Sequence, residues 1–485
     1  MKKTPIDPYS PYSAPDFPLP KGQKSAGVYL RALCLAGLTK RMKSIPLEYL
    51  TQLDRELCCF AYKGWGNFLL IVQDLVTHLS KRGVSIGPGG GVAPGSLVLF
   101  ALEITDLDPL KHGLLFERYL SLKGKAPPDL DLALSPGGSK IALDYLRDKY
   151  GTACVLAVEI YGKAGWRHAL AKAGFTLGRD GDVVNKANFK KLQSGECRKL
   201  NVDALYNLSV RRNTSPEEWD SNSAAVALVK DMRQILVPLE IIKMGRYPAL
   251  ISLSQSGMIR HGITHINIFD WNLLGRLARA EKILRRSNRA FSLATIPEDD
   301  PKTFAMLSGG EAAGLRQFSL PLMRKCFKHL NPQNLSHLVA LEALNRPGPI
   351  AIGLLDLFMK ARHGKVKPTF HLTQIEEILS ETYGVLVYHE QVMHIAKVLA
   401  GFSPEDANPF RREFGKRNPD SLKVWRGKFT AGCKINGIKA AAAVRVFNYL
   451  NKYAAYGICK AHIMCHTLGA YRLAYIKANY AELDV

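Results

Sequence analysis

Val84-Ser85-Ile86-Gly87-Pro88-Gly89-Gly90-Gly91-Val92-Ala93-Pro94-Gly95-Ser96 is a short apolar strand candidate running into a Gly/Pro-rich loop, and an apolar segment from Leu97 to Ile104 follows it. Strand, glycine loop and apolar element in succession suggest an α/β layer. The loop is not a P-loop, since no Gly-Lys-Ser/Thr follows, and not the dinucleotide fingerprint, whose third glycine would fall on Val92. Backbone amides free of side chains can form an anion nest, with the Ser96 hydroxyl beside it. A tight turn at a strand end is the plainer reading of a glycine run standing alone.

Downstream, Asp129-Leu130-Asp131-Leu132 follows Pro127-Pro128. In a strand, i and i+2 side chains share a face with Cα atoms about 6.5–7 Å apart. Two carboxylates so placed can ligate one divalent ion or bridge two, as two-metal phosphoryl transfer requires. A solvated edge strand explains the same pattern. Asp270 ends a second apolar run, Ile266-Asn267-Ile268-Phe269-Asp270. A buried carboxylate there needs a cation or donors nearby, and a helix N-cap would serve equally well.

The chain has 485 residues with 66 Lys+Arg against 42 Asp+Glu, a formal charge of +24. That length is a prior for about three domains. A hydrophobic fraction of 47% excludes disorder as the dominant state. The longest apolar stretches, such as Phe68 to Val72, fall far short of the about 20 residues of a membrane span. Met1-Lys2-Lys3 leads into Pro- and Tyr-rich sequence rather than an apolar signal core. Nine cysteines, none in a Cys-x-x-Cys pair, suit reduced thiols and a cytoplasmic location. The cationic surplus points to nucleic acid as the leading partner class, with solubility or anionic lipid as the alternatives.

Apolar spacing predicts helices over Ala26–Met42 and Asn67–Arg82, the latter stopped by Gly83. Arg179 to Ala224 is polar and weakly periodic, as in an insertion. Helical patterns dominate from Pro301, for example Val392, Ile395, Ala396 and Leu399 before Gly401. Two metal-like patterns are set aside. His389-Glu390 and His394 place their imidazoles about 140° apart on a helix, not on one face. Cys459, His462, Cys465 and His466 lack a second ligand cluster at finger-like spacing. Arg411-Arg412 with Gly415-Lys416 concentrates cations that could grip a triphosphate.

The blocks fall in the order found in bacterial C-family replicative DNA polymerases, the polymerase III alpha subunits. Gly87-Pro88-Gly89…Gly95-Ser96-Leu97-Val98 resembles that family's glycine loop. Ile104-Thr105-Asp106-Leu107-Asp108-Pro109-Leu110 and Leu114-Leu115-Phe116-Glu117-Arg118-Tyr119-Leu120 match its next block. Pro128-Asp129-Leu130-Asp131 is similar to the palm strand with two catalytic aspartates, and Phe269-Asp270 to the strand with the third. Asn345-Arg346-Pro347-Gly348-Pro349, Glu381-Thr382-Tyr383-Gly384 with Tyr388-His389-Glu390-Gln391, and Tyr456-Gly457…Lys460…His462 resemble fingers motifs.

The resemblance implies an α/β palm of nucleotidyltransferase type with a mixed sheet, an inserted small helical thumb and a mostly helical fingers domain. The expected boundaries are a lead-in at 1–50, palm at 51–162 and 226–295, thumb at 163–225 and fingers at 296–485. It implies template-directed addition of dNTPs to a primer on primer–template DNA. Asp129, Asp131 and Asp270 would hold two Mg²⁺ ions, with Mn²⁺ a substitute. Gly89, Gly91 and Ser96 would seat phosphates, and Arg118, Arg411, Arg412, Lys416 and Lys460 would clamp the triphosphate. His462 would lie near the sugar or base, and Arg167 and Arg246 would contact the DNA backbone.

The chain departs from the family pattern at Gly90 and Val92, where Arg and Ser are usual, and at Gly124, where a second Arg is usual. Losing two phosphate contacts of that kind costs roughly 1.5–3 kcal/mol each, which predicts weak dNTP binding or slow turnover. The family's N-terminal phosphoesterase-like domain and its regions beyond the fingers find no counterpart, so a reduced core is expected, weakly processive unless an accessory replication protein supplies clamp contact. Two rivals stand beside this reading. One is a nucleic-acid-binding paralogue without catalysis. The other is an S-adenosylmethionine-dependent methyltransferase, using Gly87–Gly91 as a nucleoside loop with Glu103 downstream.

Overall fold

The structure, a computed structural model, describes residues 14–122, 129–151, 154–159, 175–177, 183–185, 224–228, 250–252 and 264–483. Ser25 accepts a hydrogen bond from the Val28 amide at 3.3 Å and caps α1 (Ala26–Arg41), the first expected helix. α2 (Leu47–Tyr62) and α3 (Gly66–Lys81) follow. In α3 the predicted apolar face, Phe68, Val72, Leu75, Val76 and Leu79, is buried, and Gly83 ends the helix region at φ +76°. α4 (Leu97–Ala101) lies so close to α1 that a Cβ on Gly37 would collide with the Ala101 carbonyl.

Val84–Ile86 does not form the expected strand. Ile86 makes a single bridge to Leu134, with Ser135 N donating to Ser85 O and Gly87 N to Ala133 O, both at 2.9 Å. Pro88, lacking an N–H, ends the pairing and the chain turns into the glycine loop. After α5 (Phe116–Tyr119), β1 therefore begins only at Asp131 (Asp131–Leu134). Asp129 precedes the strand, so the alternation rule that would put both aspartates on one face does not reach it.

The chain packs as two compact units, one holding Ala142–Phe269 and the other Phe17–Ile141 with Asp270–Val485. The division runs through α6 (Gly138–Tyr150). The first unit carries β2 (Val155–Glu159), β3 (Phe175–Leu177), β4 (Val183–Asn185), β5 (Ala224–Leu228), β6 (Leu250–Ser252) and all but the last residue of β7 (Thr264–Asp270). Its sheet has the order β7-β5-β2-β6 and is mixed: β5 runs antiparallel to β2 and β7, and β6 runs parallel to β2. β3 and β4 pair antiparallel. The described residues of the insertion expected to be helical are thus strands, in keeping with their aromatic and β-branched Phe175, Thr176, Val183 and Val184. The rest of 163–223, with Arg167, and Arg246 beyond it lie outside the described residues.

The second unit is helical from Asp270 onward. Its helices are α7 (Asn272–Ser287), α8 (Pro301–Ser308), α9 (Pro321–Leu330), α10 (Leu335–Leu344), α11 (Pro347–Ala351) and α12 (Leu354–Arg362). There follow α13 (Glu376–Ser380), α14 (His389–Ala400), α15 (Pro404–Lys416), α16 (Pro419–Ile435), α17 (Ala440–Tyr453) and α18 (Lys460–Asn479). In α14 the expected Val392, Ile395, Ala396 and Leu399 are buried and Gly401 stops the helix at φ +65°. They join Phe410, Phe414, Phe429 and Phe447 in one core. α18 is buried on most of its faces because α7, α8 and α10 pack against it. Among the described residues no helix is long and apolar enough to cross a membrane.

Candidate active site

The glycine loop is shaped by what lies against it. Gly89 and Gly91 adopt φ +113° and +55°, which disfavour side chains. A Cβ on Gly90 would fall 2.7 Å from Asp131 Cβ, and one on Gly91 2.6 Å from Asp131 Oδ2. The loop backbone thus lies directly on the first residue of β1. Ser96 faces the other way: fully buried, its hydroxyl donates to Glu56 Oε2 at 2.7 Å and accepts from Leu99 N. Glu56 also accepts from Leu97 N at 3.0 Å, Val98 N at 3.1 Å and Gln52 Nε2 at 2.8 Å. Ser96 is consequently the cap of α4 and not a phosphate ligand. Burial pushes the Glu56 carboxyl up to about 7 against the pull of these donors.

The charges of Asp131 and Asp129 both reach Tyr119. That buried phenol is held well above its ordinary value, first by desolvation and then by the negative charges of Asp129, Glu56 and Asp131. Its hydroxyl has no partner among the described residues. Asp131 also acts on His462, opposing the burial that lowers its imidazole, and on the Cys465 thiol. Asp270 is elsewhere. Its Oδ2 accepts from Gly137 N at 2.8 Å and Ser139 Oγ at 3.0 Å, and its Oδ1 from Ser139 N at 2.9 Å. It caps the start of α6. The next residue, Trp271, donates its amide to Leu134 O, whereas Asp131 opens β1, about 10 Å of strand away. Among the described residues no three His, Cys, Asp or Glu side chains are placed to hold one ion together.

Of the expected cations, Arg118 and Arg411 come together. Asn408 Oδ1, on α15, accepts from Arg118 Nη1 at 3.2 Å and from Arg411 Nη2 at 2.9 Å. Arg346 donates to Tyr456 O at 2.7 Å and Ala343 O at 2.6 Å. Among the described residues none of these three guanidinium groups has a carboxylate in ion-pairing distance. Burial, then the charges of Arg118 and Arg412, bring Arg411 down to about 9. Burial with Arg411, Arg118 and Arg346 brings His389 down to about 2. Among the described residues, the Nε atoms of Arg118 and Arg411 and His389 Nδ1 are buried without partners. The half-buried cations of this cluster repel one another.

Cys459 joins the two sides. Its sulfur donates to Glu390 Oε1 at 3.3 Å and lies 3.9 Å from Gly91 O, and the Arg118 charge reaches it. Burial raises its thiol to about 12 and that of Cys465 well above its ordinary value, so both are protonated thiols here. His462 and His466 contact each other as rings at 4.8 Å.

Other expected cations are engaged. Lys460 Nζ bonds both oxygens of Glu381, at 3.0 and 2.9 Å, and Lys416 Nζ bonds Glu413 at 2.6 Å with most of its side chain in solvent. Arg412 is exposed. Sequence reasoning passed over Glu56, Asn408 and Glu390, and set His389 aside as a metal decoy. Asn408 carried one local signal, its place three residues before Arg411. Glu103, the residue the methyltransferase reading needed, pairs with Lys40 at 2.6 Å on the surface, and among the described residues no strand–loop–helix nucleoside fold surrounds the loop.

Comparison with known proteins follows the same geometry. Residues 28–235 match the bacterial DNA polymerase III alpha NTPase domain and residues 274–437 the bacterial DNA polymerase III alpha subunit finger domain. DNA polymerase III subunit alpha of Bacillus subtilis (strain 168) is 30% identical over 486 residues, covering 96% of this chain and 43% of the relative. The subunits of Aquifex aeolicus (strain VF5) and Escherichia coli (strain K12) are each 29% identical, covering 97% of this chain and 44% and 43% of their own lengths. The chain thus spans less than half the length of these relatives. With two successive domain matches and collinear similarity along nearly all of it, the chain belongs to the bacterial DNA polymerase III alpha subunit family.

Proposed function

We propose that the chain is a DNA polymerase core that adds dNTPs to a primer 3′-hydroxyl, on a palm of nucleotidyltransferase type. The observation that carries this reading is the contact of Asp131 with a side-chain-free glycine loop, joined through Cys459 to the half-buried Arg118–Asn408–Arg411 cluster. Carboxylates on one side and guanidinium groups without a carboxylate partner among the described residues on the other match the two ends of a nucleoside triphosphate in reaction.

The donor chemistry fits a hard divalent ion: carboxylate oxygens of Asp129 and Asp131, with the nearby thiols kept protonated. Mg²⁺ bound there supplies positive charge that acidifies the attacking hydroxyl and stabilises the leaving pyrophosphate. Asp270 becomes the third carboxylate by exchanging the α6 amides for that site. Arg118 and Arg411, spaced by Asn408, hold the β- and γ-phosphates, and His389 Nδ1 offers a further hydrogen bond. The amides around Gly90 and Gly91 approach the phosphates where a side chain would block them. Tyr119, kept protonated by burial and by the charges of Asp129, Glu56 and Asp131, holds a buried hydroxyl within reach of their field. His462 lies beside Asp131, toward the sugar. Primer–template DNA, dNTPs and an accessory protein giving clamp contact are the partners this reading implies.

Primer extension with Mg²⁺ or Mn²⁺ tests it on the wild type, Asp131→Ala and Asp270→Asn. Asparagine keeps one of the two acceptor oxygens of the α6 cap and loses the charge. Both variants are expected to lose at least about 100-fold in extension, with Asp270→Asn remaining folded at a lowered unfolding temperature. A wild type that extends no better than Asp131→Ala, yet still shifts primer–template, establishes the binding paralogue instead. Wild-type extension by Asp270→Asn leaves Asp270 a cap only.

A further inference from the structure

A second ring-lined cleft lies within the helical unit, outside the Arg118–Arg411 cluster. It has a volume of about 480 Å³, inside the range of small-ligand sites. α12, the chain from Val366 to His371, the turn Tyr383–Val385 and α17 form its walls. Three tyrosines and a histidine supply its rings. Tyr449 is fixed, because its hydroxyl donates to Gly384 O at 2.9 Å. Around it stand His371, with ring centroids 4.7 Å apart, and Tyr453, at 5.3 Å. Tyr383 completes the set, its hydroxyl 2.7 Å from His337 Nε2.

The cleft carries Lys367, Arg445 and Lys452 at its exposed edge and, among the described residues, has no carboxylate in its lining. Lys452 Nζ sits over the Tyr453 ring at 4.9 Å. Burial and the Arg445 charge lower the His371 imidazole, so it presents an uncharged ring at neutral pH. Fixed rings with flanking cations and no anion suit a chain of alternating π-faces and phosphates. The turn also ties the cleft to the reaction centre: Tyr383 is two residues beyond Glu381, which binds Lys460 at the start of α18.

We propose that this cleft holds unpaired nucleotides of a single nucleic-acid strand, a base stacking against Tyr453 and Tyr449 while Arg445 and Lys452 take the adjoining phosphates. Asn448 on the same wall offers an amide to a base edge. Loose stacking without a fixed hydrogen-bond pattern makes the contact tolerant of sequence.

Fluorescence anisotropy with a labelled oligothymidylate of about 12 nucleotides, without divalent metal or dNTP, measures it. Tyr453→Leu is expected to weaken binding about tenfold. Arg445→Gln with Lys452→Gln is expected to weaken it and to flatten the dependence of log K on log salt by about 1.4, roughly 0.7 per lost phosphate contact. The charge variant alters only exposed side chains, so it decides the matter if Tyr453→Leu fails to fold. Both variants binding within twofold of wild type with an unchanged salt slope overturns the proposal. So does displacement of the oligomer by an equal concentration of dTMP, which would make the cleft a mononucleotide site. The readout does not depend on nucleotide addition: a chain that extends no primer yet shows these losses keeps the cleft, and an active polymerase without them loses only the cleft.

Discussion

Replacing Gly91 with alanine separates what the glycine loop does for the fold from what it does for Asp131. The backbone at Gly91 has φ +55°, where an L-residue costs about 1–2 kcal/mol. The added methyl would also stand 2.6 Å from Asp131 Oδ2, against the 3.4 Å at which ordinary contact begins. The difference, 3.4 − 2.6 = 0.8 Å, is the distance the carboxylate oxygen must retreat. A terminal oxygen retreats cheaply, by a χ rotation costing about 0.5–1.5 kcal/mol. Reacting geometry is less forgiving, since a displacement of about 1 Å costs on the order of 100-fold in rate. Urea unfolding of Gly91→Ala is therefore expected to show a loss of about 1.5–3.5 kcal/mol, and single-nucleotide primer extension a loss of about 10- to 100-fold. In an Asp131→Ala background the backbone cost persists, because it does not involve the carboxylate. Full extension by Gly91→Ala refutes the reasoning. So does a stability cost that vanishes in the double variant, because the strain would then lie in the carboxylate contact and not in the backbone.

Asn408→Ala removes the acceptor that Arg118 and Arg411 share and is expected to raise the KM for dNTP about tenfold, the worth of one charge-assisted hydrogen bond, with a smaller change in kcat. Asn408→Asp is expected to raise both the unfolding temperature and that KM, since a carboxylate satisfies the arginines and competes with phosphate; steady-state kinetics beside a melting curve shows whether the two move together. Glu56 sets a pH dependence. Its folded carboxyl titrates at about 7 against 4.5 when exposed, so the folded state binds the extra proton between these values and its stability falls as pH rises through them. The full difference is about 3 kcal/mol. Glu56→Gln removes the titrating group but also one of the two acceptor oxygens, so it is expected to be less stable than wild type near pH 4.5 and to lose the fall in urea midpoint between pH 4.5 and 8; parallel pH profiles would refute the assignment.

The helices were legible because their information is local. Ser25, the apolar spacing of α3 and the stop at Gly83 lie within one stretch of chain, and the same holds for α14 and Gly401. The order of motifs likewise carried the family, each block short but the series long. The strand expected at Val84–Ile86 failed for a reason equally local, the proline that follows two residues on, but its weight showed only when the partner strand was in place.

What periodicity and motif order could not decide were side-chain destinations set by residues far along the chain. Ser96 looks like a phosphate ligand until Glu56, 40 residues earlier, takes its hydroxyl inside. Asp270 reads equally as metal ligand or cap, and the amides of Gly137 and Ser139, more than 130 residues before it, make it a cap in this conformation. Asn408 is one polar residue among many until the fold brings Arg118, 290 positions away, to its oxygen. Local pattern reports which face of an element is buried, because burial repeats with the helix or strand period. Which donor meets which acceptor is decided by desolvation across contacts with no period at all, and only the tertiary structure holds that information.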